Sequence, residues 1–277
     1  MNILITGASG FIGEHILAAL IKAQHNITAC IHKTDHSYKL KTITIDFSQM
    51  LQPENWLTHL EGIDVVINCV GIIAESKKYS FDIMHHLTPI ALFQACEQSN
   101  VKRVIQISAL GADNKALVPF HKSKKLADDY LQVSQLDWFV LRPSLIYGKN
   151  GKSFKLFQRL SNMIITPLIG DGKQLIQPVP VNRLVQVVEK CIQTSVTRQT
   201  LDVVAEKIIS YKDWMIELRQ KKSKARFIQL PMPLMKMMAK LLKPLKLQLL
   251  STDNLTMLEQ NSIGDYPTLK NFMENPK

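Results

Sequence analysis

With 277 residues, 46% of them hydrophobic, the chain is long enough to bury one large core, with or without a smaller lobe. Its formal net charge of +11 is concentrated in residues 219–250, which hold nine Lys or Arg and no Asp or Glu. Taking these nine from the 34 basic residues leaves 25 against 23 acidic residues elsewhere. A local basic segment without a nucleic-acid motif argues against a nucleic-acid-binding protein.

The four cysteines lie far apart, at positions Cys30, Cys69, Cys96 and Cys191. None has the spacing of a C-x-x-C pair or a metal-ligand set, so we expect neither a disulfide nor a metal site. No targeting segment is visible, and no run reaches the roughly 18 to 20 apolar residues that a membrane-spanning helix requires. We therefore expect a soluble protein of the reducing cytoplasm.

Short β-branched runs alternate with amphipathic helical stretches along the first two thirds of the chain. The pattern predicts strands at 2–6, 26–31, 42–46, 64–70, 103–108 and 138–142, and helices that include 11–23, 81–99 and 122–135. Most of the strand runs are continuously apolar, which is typical of strands buried on both faces of a parallel sheet. The alternation predicts an α/β protein with a doubly wound parallel sheet.

Two loops rich in glycine and lysine, "YGKNGKS" at 147–153 and "PLIGDGKQ" at 167–174, interrupt this alternation. It resumes once, with a predicted helix at 182–194 and a strand at 201–205. We therefore assign residues 1–150 and 181–205 to a sheet domain. Residues 151–180 and 206–277 are assigned to a smaller lobe over the carboxyl edge of the sheet.

The sequence "TGASGFIG" follows the first strand and opens the first helix. Its glycines, Gly7, Gly10 and Gly13, permit a tight turn and the close approach of backbone amides to a pyrophosphate at the helix N-terminus. A glycine turn without a ligand is the alternative. The loop predicts a dinucleotide site, in which the glycines are joined by Ser9, Phe11 and Ile12.

Four further motifs follow in order: "VINCVG" at 66–71, "ALFQACEQSNVKRVIQISALGA" at 91–112, "DWFVLRPSLIYGKNG" at 137–151 and "GDGKQLIQPVPV" at 170–181. With the glycine loop, they resemble the short-chain dehydrogenase/reductase superfamily, in its extended and atypical branches. The atypical branch includes the nucleotide-binding accessory subunit of respiratory complex I and bacterial NAD(P)-binding relatives. The resemblance covers residues 1 to about 205 and implies a Rossmann-type sheet that binds NAD(P).

The end of the second strand usually decides between NAD and NADP, because an acidic side chain there binds the ribose hydroxyls of NAD and repels the extra phosphate of NADP. This chain has His32 and Lys33 at that point and no acid before Asp35. The basic pair favours NADP over NAD. The alternative is that His32 and Lys33 are solvated loop residues.

The resemblance implies further cofactor contacts at the ends of later strands. Asp46 and Phe47 correspond to a pair beside the adenine, although they can equally be a strand-end cap and a core aromatic. Val70 and Gly71 end the fourth strand, where a side chain at position 71 would obstruct the cofactor. Pro143, in the "RPS" motif after the sixth strand, borders the nicotinamide or only terminates that strand.

The superfamily uses a Y-x-x-x-K pair with a serine, in which the lysine holds the nicotinamide ribose and the tyrosine transfers the proton. Lys124 matches the lysine, Ser108 is a candidate for the serine, and Phe120 occupies the tyrosine position. Because a phenyl ring neither donates nor accepts a proton, the proton donor is missing. The alternatives are a solvated helix lysine for Lys124 and a strand-end turn for Ser108.

Four other side chains are weighed as substitute donors. His85, His86 and Tyr147 can approach the pocket, whereas His121 is expected to point about 100° away from Phe120 and to be exposed. Two functions stay open: an NADP-binding protein with weak or absent activity, or an active oxidoreductase or epimerase-like enzyme with another donor. The substrate and any protein partner are not specified by the sequence.

The segment 233–250, "PLMKMMAKLLKPLKLQLL", combines Met and Leu clusters with four lysines. This composition is compatible with peripheral contact to an anionic membrane or with a protein partner. Because Pro244 interrupts the segment, the ordinary interpretation is a lobe helix that packs its apolar face on the core.

Overall fold

The computed structural model describes residues 1–32, 40–220, 226–241 and 251–275. Its strands are, in chain order, β1 Asn2–Thr6, β2 Asn26–Ile31, β3 Lys41–Thr44, β4 Val65–Asn68, β5 Arg103–Ile107, β6 Asp137–Pro143, β7 Ile146–Tyr147, β8 Ile165–Ile169, β9 Leu175–Ile176, β10 Val179–Pro180, β11 Gln199–Val203, β12 Ile209–Ser210 and β13 Arg226–Leu230. Its α-helices are α1 Phe11–Lys22, α2 Glu54–Leu57, α3 Thr88–Gln98, α4 Pro119–Val133, α5 Lys152–Ser161, α6 Val181–Gln193, α7 Tyr211–Glu217, α8 Met232–Leu241, α9 Thr252–Glu259 and α10 Tyr266–Glu274.

Seven of these strands form one parallel sheet in the order β11-β6-β5-β4-β1-β2-β3. Successive residues of β1 face opposite sides of it. Ile3 and Ile5 pack into a core with α1 and α6, while Leu4 packs into a second core with α2, α3 and α4. Both faces of the sheet are thus covered by helices, and the prediction of a doubly wound, Rossmann-type sheet is confirmed.

The element boundaries differ from the predicted ones where side chains bind the backbone. The strand predicted at 42–46 ends at Thr44, because the carboxylate of Asp46 accepts the Ser48 amide and starts a 3₁₀ turn. The helix predicted at 81–99 begins with a π-helical segment, Asp82–Leu87, before α3. Pro89 has no amide hydrogen for the α-helical bond to the carbonyl of residue 85, which accounts for the wider turn.

A third, smaller core lies in the lobe formed by α5, α7, α8, α9 and the short strands β8, β9, β12 and β13. Phe157 and Trp214 meet there with ring centroids 5.1 Å apart, and Leu168 and Leu255 are buried beside them. The apolar stripe of α5 faces this core and is covered by α7. The lobe therefore sits on the carboxyl side of β6 and β11, where the chain leaves the sheet.

The last helix does not belong to the lobe. Leu269 of α10 is fully buried in the core beneath the sheet, and the Phe272 ring lies 5.8 Å from that of Phe139 in β6. The assignment of all residues 206–277 to the lobe is therefore wrong for Tyr266–Glu274. The reason is that α10 has its own apolar stripe, which covers the edge strand β11.

The segment 233–250 is described only as far as residue 241, so residues 242–250, and with them Pro244, lie outside the described residues. Met232 and Met235 of α8 pack on the lobe core, whereas Leu234 and Met237 are 40% and 53% exposed. Among the described helices, none has the length and apolarity to cross a membrane. Membrane contact through this segment stays a prediction.

If the segment binds an anionic surface, replacing Lys243 and Lys246 with Gln should weaken co-sedimentation with anionic vesicles at low salt by on the order of tenfold. Each lysine near such a surface contributes about 1 kcal/mol. The matched control replaces Lys102 and Lys122 with Gln and should sediment like the unmodified protein. Failure of the unmodified protein to sediment with the vesicles would exclude the membrane contact.

Candidate functional site

The glycine loop at the end of β1 is held in a conformation that only small residues fit. Gly7 has φ +64°, and a Cβ atom there would lie 2.9 Å from the carbonyl carbon of Cys69. A Cβ at Gly13 would lie 2.2 Å from the Gly7 oxygen, so α1 can pack closely on the loop only with glycine there. The Gly10 amide donates to the Gly7 oxygen at 2.9 Å. Gly10 thus becomes the N-cap of α1, whose first amides remain available for an anion.

A row of polar side chains beneath the loop ties three neighbouring strands together. The Thr6 hydroxyl donates to Asn68 Oδ1 at 2.5 Å, and Asn68 Nδ2 donates to Gln106 Oε1 at 2.7 Å. Asn68 Oδ1 also accepts the Val70 amide at 3.3 Å, which turns the chain out of β4. Sequence reasoning missed this row because the partners are 62 and 38 residues apart.

At the far edge of the site, β2 and β3 end in a small charged cluster. The His32 ring nitrogen Nε2 and the Tyr79 hydroxyl are 3.0 Å apart, and Lys78 Nζ lies 2.5 Å from Asp46 Oδ2. The hydrogen bond with Lys78 lowers the pKa of Asp46. Lys33, the other half of the predicted basic pair, lies outside the described residues. Sequence reasoning did not single out Lys78 and Tyr79, which come from the loop after β4.

Asp46 and Phe47 have the geometry of a strand-end cap and a core aromatic, which is the alternative to an adenine contact. Asp46 caps the 3₁₀ turn through Ser48, and Phe47 is 3% exposed, with its ring 6.3 Å from that of Trp56. The Phe47 carbonyl accepts the Thr88 hydroxyl at 2.9 Å. An adenine contact of this pair stays a prediction, and it would involve the backbone rather than the buried ring.

Lys124 is buried on α4 and points at the end of β5. Its Nζ donates to the Ile107 carbonyl at 3.1 Å. Burial lowers the pKa of Lys124 from 10.5 to about 8, and the charge of Asp128 opposes this shift. The position is therefore not that of a solvated helix lysine: the ammonium group is held at the carboxyl edge of the sheet with donors left over for a ligand.

Phe120 lies one helical turn before Lys124, with its ring in an aromatic cluster. Its ring centroid is 5.7 Å from that of Phe81, 5.2 Å from that of His85 and 5.8 Å from Lys124 Nζ. The half-buried ring lines the same cavity as Lys124. The tyrosine position of Y-x-x-x-K thus presents an apolar edge beside the lysine.

Ser108 is engaged away from any substrate. Its hydroxyl donates to Asp128 Oδ2 at 2.6 Å, and the same oxygen lies 3.5 Å from Arg142 Nε. Burial raises the pKa of Asp128 to about 6, while the Ser108 hydrogen bond and the Arg142 charge oppose that change. A serine that gives its proton to a carboxylate cannot at the same time donate to a carbonyl. Asp128 and Arg142 were not predicted as partners, because they meet only when α4 packs on β6.

The four candidate donors occupy different places. His85 is 1% exposed; its Nε2 accepts the Ile72 amide at 2.9 Å, which leaves the proton on Nδ1, 3.1 Å from the Ser123 hydroxyl. Burial and the nearby Lys124 charge lower the pKa of His85 well below its usual value. His86 pairs with Asp82 at 2.7 Å, and the Tyr147 ring lies 5.7 Å from that of the lobe residue Phe154.

The expectation that His121 is exposed is wrong. Its side chain is half-buried, lines the cavity and packs against Gly111, where a Cβ would lie 3.0 Å from the His121 ring. Gly111 has φ +88° and lets the loop after β5 fold over the ring. Burial lowers the pKa of His121 to about 4, so the ring is neutral at pH 7.

A cavity of about 1070 Å³ connects these groups at the carboxyl edge of the sheet. Ten of the predicted site residues line it, namely Gly10, Phe11, Ile12, Gly13, Val70, Gly71, Ser108, Phe120, Lys124 and Pro143. Gly7 shapes the loop from below, and Ser9, His32, Asp46 and Phe47 lie outside the cavity wall. At Gly71 a Cβ would be 3.6 Å from both His85 Nε2 and Lys124 Nζ. The protein itself therefore leaves room for a side chain at position 71, and obstruction of the cofactor there stays a prediction.

Residues 7–163 of the chain match the NAD(P)H-binding family. The mitochondrial NADH dehydrogenase (ubiquinone) 1 alpha subcomplex subunit 9 of Arabidopsis thaliana is 24% identical over 186 residues, which cover 63% of this chain and 46% of that protein. The uncharacterized UDP-glucose epimerase YtcB of Bacillus subtilis is 26% identical and is covered to 67%, against 63% of this chain. The match thus spans about half the length of the first curated relatives.

Solved structures share the fold. A UDP-glucuronic acid 4-epimerase from Bacillus cereus in complex with NAD superposes with a TM-score of 0.69 over 83% of this chain and 87% of that one, at 19% identity. At this identity the likeness concerns the fold alone.

Proposed function

Since this chain belongs to the NAD(P)H-binding family, we propose that it binds NADP(H) and reduces ordinary carbonyl compounds slowly or not at all. One observation carries the proposal of slow or absent reduction: the Phe120 ring lies 5.8 Å from Lys124 Nζ, at the position where the Y-x-x-x-K pair of the superfamily has a phenol. The hydroxyl of Ser108 is bound to Asp128. Neither neighbour of the lysine is therefore free to give a carbonyl oxygen a proton.

The chain's own groups fit a dinucleotide. The amides at the start of α1 are oriented to bind its pyrophosphate, and Lys124 keeps donors free for the hydroxyls of the nicotinamide ribose after its bond to Ile107. When bound, NADPH supplies a hydride. Gly7 and Gly13 keep the loop close to α1, so that the anion is held by the backbone rather than by side chains.

NADP rather than NAD is supported by the charges at the ends of β2 and β3. His32 lies there with Tyr79, and the carboxylate of Asp46 is already paired with Lys78. An acid that is neutralised in this way does not repel a 2'-phosphate as a free carboxylate does. Lys33 supports the proposal through its place in the sequence alone, since it lies outside the described residues.

We expect NADPH to bind at least about tenfold more tightly than NADH, which corresponds to one charge-assisted contact of roughly 1.4 kcal/mol or more. Replacing His32 and Lys33 with Asp should reverse the order, because two carboxylates would face the 2'-phosphate. Lys102→Asp, which removes a base elsewhere on the sheet domain, is the control and should keep the NADPH preference. Isothermal titration calorimetry at fixed salt measures this; equal affinities of the unmodified protein for both dinucleotides would exclude the NADP assignment.

A second candidate is an active oxidoreductase or epimerase-like enzyme in which Lys124 itself gives the proton. The pKa of about 8 that burial imposes on Lys124 is close to neutral pH, where a general acid works best. His121 fits less well, because with a pKa of about 4 its ring is neutral at pH 7 and lacks the acidic proton of an imidazolium. The epimerase name of the Bacillus subtilis relative supports this candidate. Turnover by the unmodified protein distinguishes the two.

A role within a larger assembly is compatible with the first candidate, because the Arabidopsis relative is by name a subunit. In an assembly, bound NADP can stabilise the fold of this chain, or the chain can respond to the NADP concentration, and neither role requires turnover. A pull-down with the tagged chain, with and without NADPH, tests for a protein partner. Recovery of the same proteins with a Gly13→Ala variant that no longer binds NADPH would separate partner binding from cofactor binding.

A further inference from the structure

The cavity at the sheet edge extends beyond the groups assigned to the dinucleotide and into the lobe. Its volume of about 1070 Å³ lies at the upper end of the roughly 300–1,000 Å³ of ordinary ligand sites. On the lobe side the cavity is lined by residues of α5, β8, α8 and α9. The groups assigned to the dinucleotide come from the sheet domain, which leaves the lobe part for a second molecule.

The lobe part of the cavity is predominantly apolar over the residues that the structure describes. Its wall includes Leu156 and Leu160 of α5, Leu168 of β8, Ala239 of α8, and Met257 and Leu258 of α9. Flexible methionines and branched aliphatic side chains adapt to hydrocarbon and offer no strong hydrogen bonds. Two polar side chains of this wall are used within the protein, since Asn254 donates to the Ile73 carbonyl and Asn261 accepts the Leu175 amide.

The charges of the cavity lie on the opposite side. Its charged lining residues, Asp113, Lys115, Lys124, Arg142 and Asp202, all come from segments of the sheet domain, and the described lobe residues contribute none. A phosphate in the lobe part would lose its hydration without gaining a charged partner from the described residues there, which costs several kcal/mol. A hydrocarbon chain gains about 0.8 kcal/mol for each buried CH₂ group.

A polar head group, in contrast, finds partners at the sheet side. Arg142 lines the cavity, and its Nε lies 3.5 Å from Asp128 Oδ2. Lys124 also lines the cavity, and the charges of Arg142 and Lys124 both act on Asp128. A carbonyl or carboxylate oxygen is the group that such donors bind. The cavity thus has two different ends, with the charged side chains beside the dinucleotide site and mainly apolar walls in the lobe.

We propose that the second ligand of this protein is a long-chain acyl compound, whose carbonyl or carboxylate head lies at Arg142 and Lys124 and whose hydrocarbon chain fills the lobe. The position of the head group in this proposal rests on the proposed dinucleotide function, whereas the position of the hydrocarbon chain does not. It names a substrate or regulatory ligand class that differs from a sugar nucleotide.

The test uses cis-parinaric acid, a fatty acid whose fluorescence rises in an apolar environment, titrated into the full chain with and without NADPH. We expect saturable binding that an unlabelled long-chain fatty acid displaces and UDP-glucose does not. Met257→Asp, which puts a charge into the wall, and Ala239→Phe, which fills it, should each weaken binding at least tenfold. Met237→Asp, on the exposed side of α8, should bind as the unmodified protein does.

Calorimetry with NADPH on each variant separates this proposal from the proposed function. Unchanged NADPH affinity with lost parinaric acid binding supports an acyl site in the lobe and shows that the variants are folded. Absence of saturable binding to the unmodified protein, or equal binding by Met257→Asp and Ala239→Phe, overturns the acyl proposal. Failure of the unmodified protein to bind NADPH would instead overturn the proposed function.

Discussion

Replacing Phe120 with Tyr is expected to raise the rate of NADPH-dependent carbonyl reduction by about 10²-fold. A general acid contributes roughly 10²- to 10⁴-fold in rate, and the lower end is expected here because the Ser108 hydroxyl remains bound to Asp128. The Phe120 ring is half-buried and lines the cavity, so one added oxygen has room and keeps the ring's contacts with Phe81 and His85.

The neighbouring charge makes the new phenol a suitable acid. Lys124 Nζ lies 5.8 Å from the ring that would carry the hydroxyl, and an ammonium group at this range favours the phenolate form and so lowers a tyrosine pKa. The measurement is NADPH oxidation over a panel of aldehydes, ketones and quinones that includes long-chain members. Phe120→Leu, which removes the ring without adding a donor, is the control and should stay as slow as the unmodified protein.

The outcome also decides between the two candidate functions. Fast turnover by the unmodified protein, with no gain from Phe120→Tyr, would mean that another group gives the proton and that the slow-enzyme proposal is wrong. If Lys124 is that group, Lys124→Arg should stop turnover while retaining a cation, because a guanidinium does not release its proton near pH 7. If both the unmodified protein and the Phe120→Tyr variant turn over slowly, cofactor binding is the role that remains for this site.

The parts of the fold that follow from local patterns were predicted well. Continuous apolar runs identify buried parallel strands because both faces of β1, through Ile3 and Leu4, are covered. The glycine loop is recognisable because Gly13 is required by a contact within the loop, with Gly7, and Gly7 by its own positive φ of +64°. The spacing of Phe120 and Lys124 fixes them on one face of α4 without knowledge of the rest of the fold.

The features that sequence reasoning missed depend on contacts between distant segments. Asp128 meets Arg142 only after α4 docks on β6, and the state of Ser108 follows from that meeting. His121 was expected in solvent because helical geometry gives its direction but not the loop at Gly111 that covers it. The docking of Leu269 beneath the sheet is likewise a tertiary contact, since an apolar stripe on a helix does not identify its partner.

Lys124→Met is expected to weaken NADPH binding by about tenfold to a hundredfold. A hydrogen bond to a charged group contributes roughly 1.5–3 kcal/mol, and Met fills the space of the lysine chain without donors. Lys125→Met is the matched control: Lys125 is the next residue of α4 and pairs with Asp129 at the helix surface, so its loss should leave affinity unchanged. Equal affinities of the Lys124→Met variant and the unmodified protein would show that Lys124 does not hold the dinucleotide.

The pH dependence gives an independent test of the same lysine. Burial lowers the pKa of Lys124 from 10.5 to about 8, so the folded chain releases this proton between pH 8 and 10.5 while the unfolded chain still holds it. The cost of burying the charge is therefore fully present below about pH 8, and this group's contribution to the free energy of unfolding rises between pH 8 and 10.5.

Cofactor binding depends on the same proton. The dinucleotide's phosphates favour the charged amine, so binding takes up a proton. The dissociation constant for NADPH should rise above about pH 8 in the unmodified protein and in Lys125→Met. In Lys124→Met that rise should be absent, and a rise that persists there would assign the titration to another group.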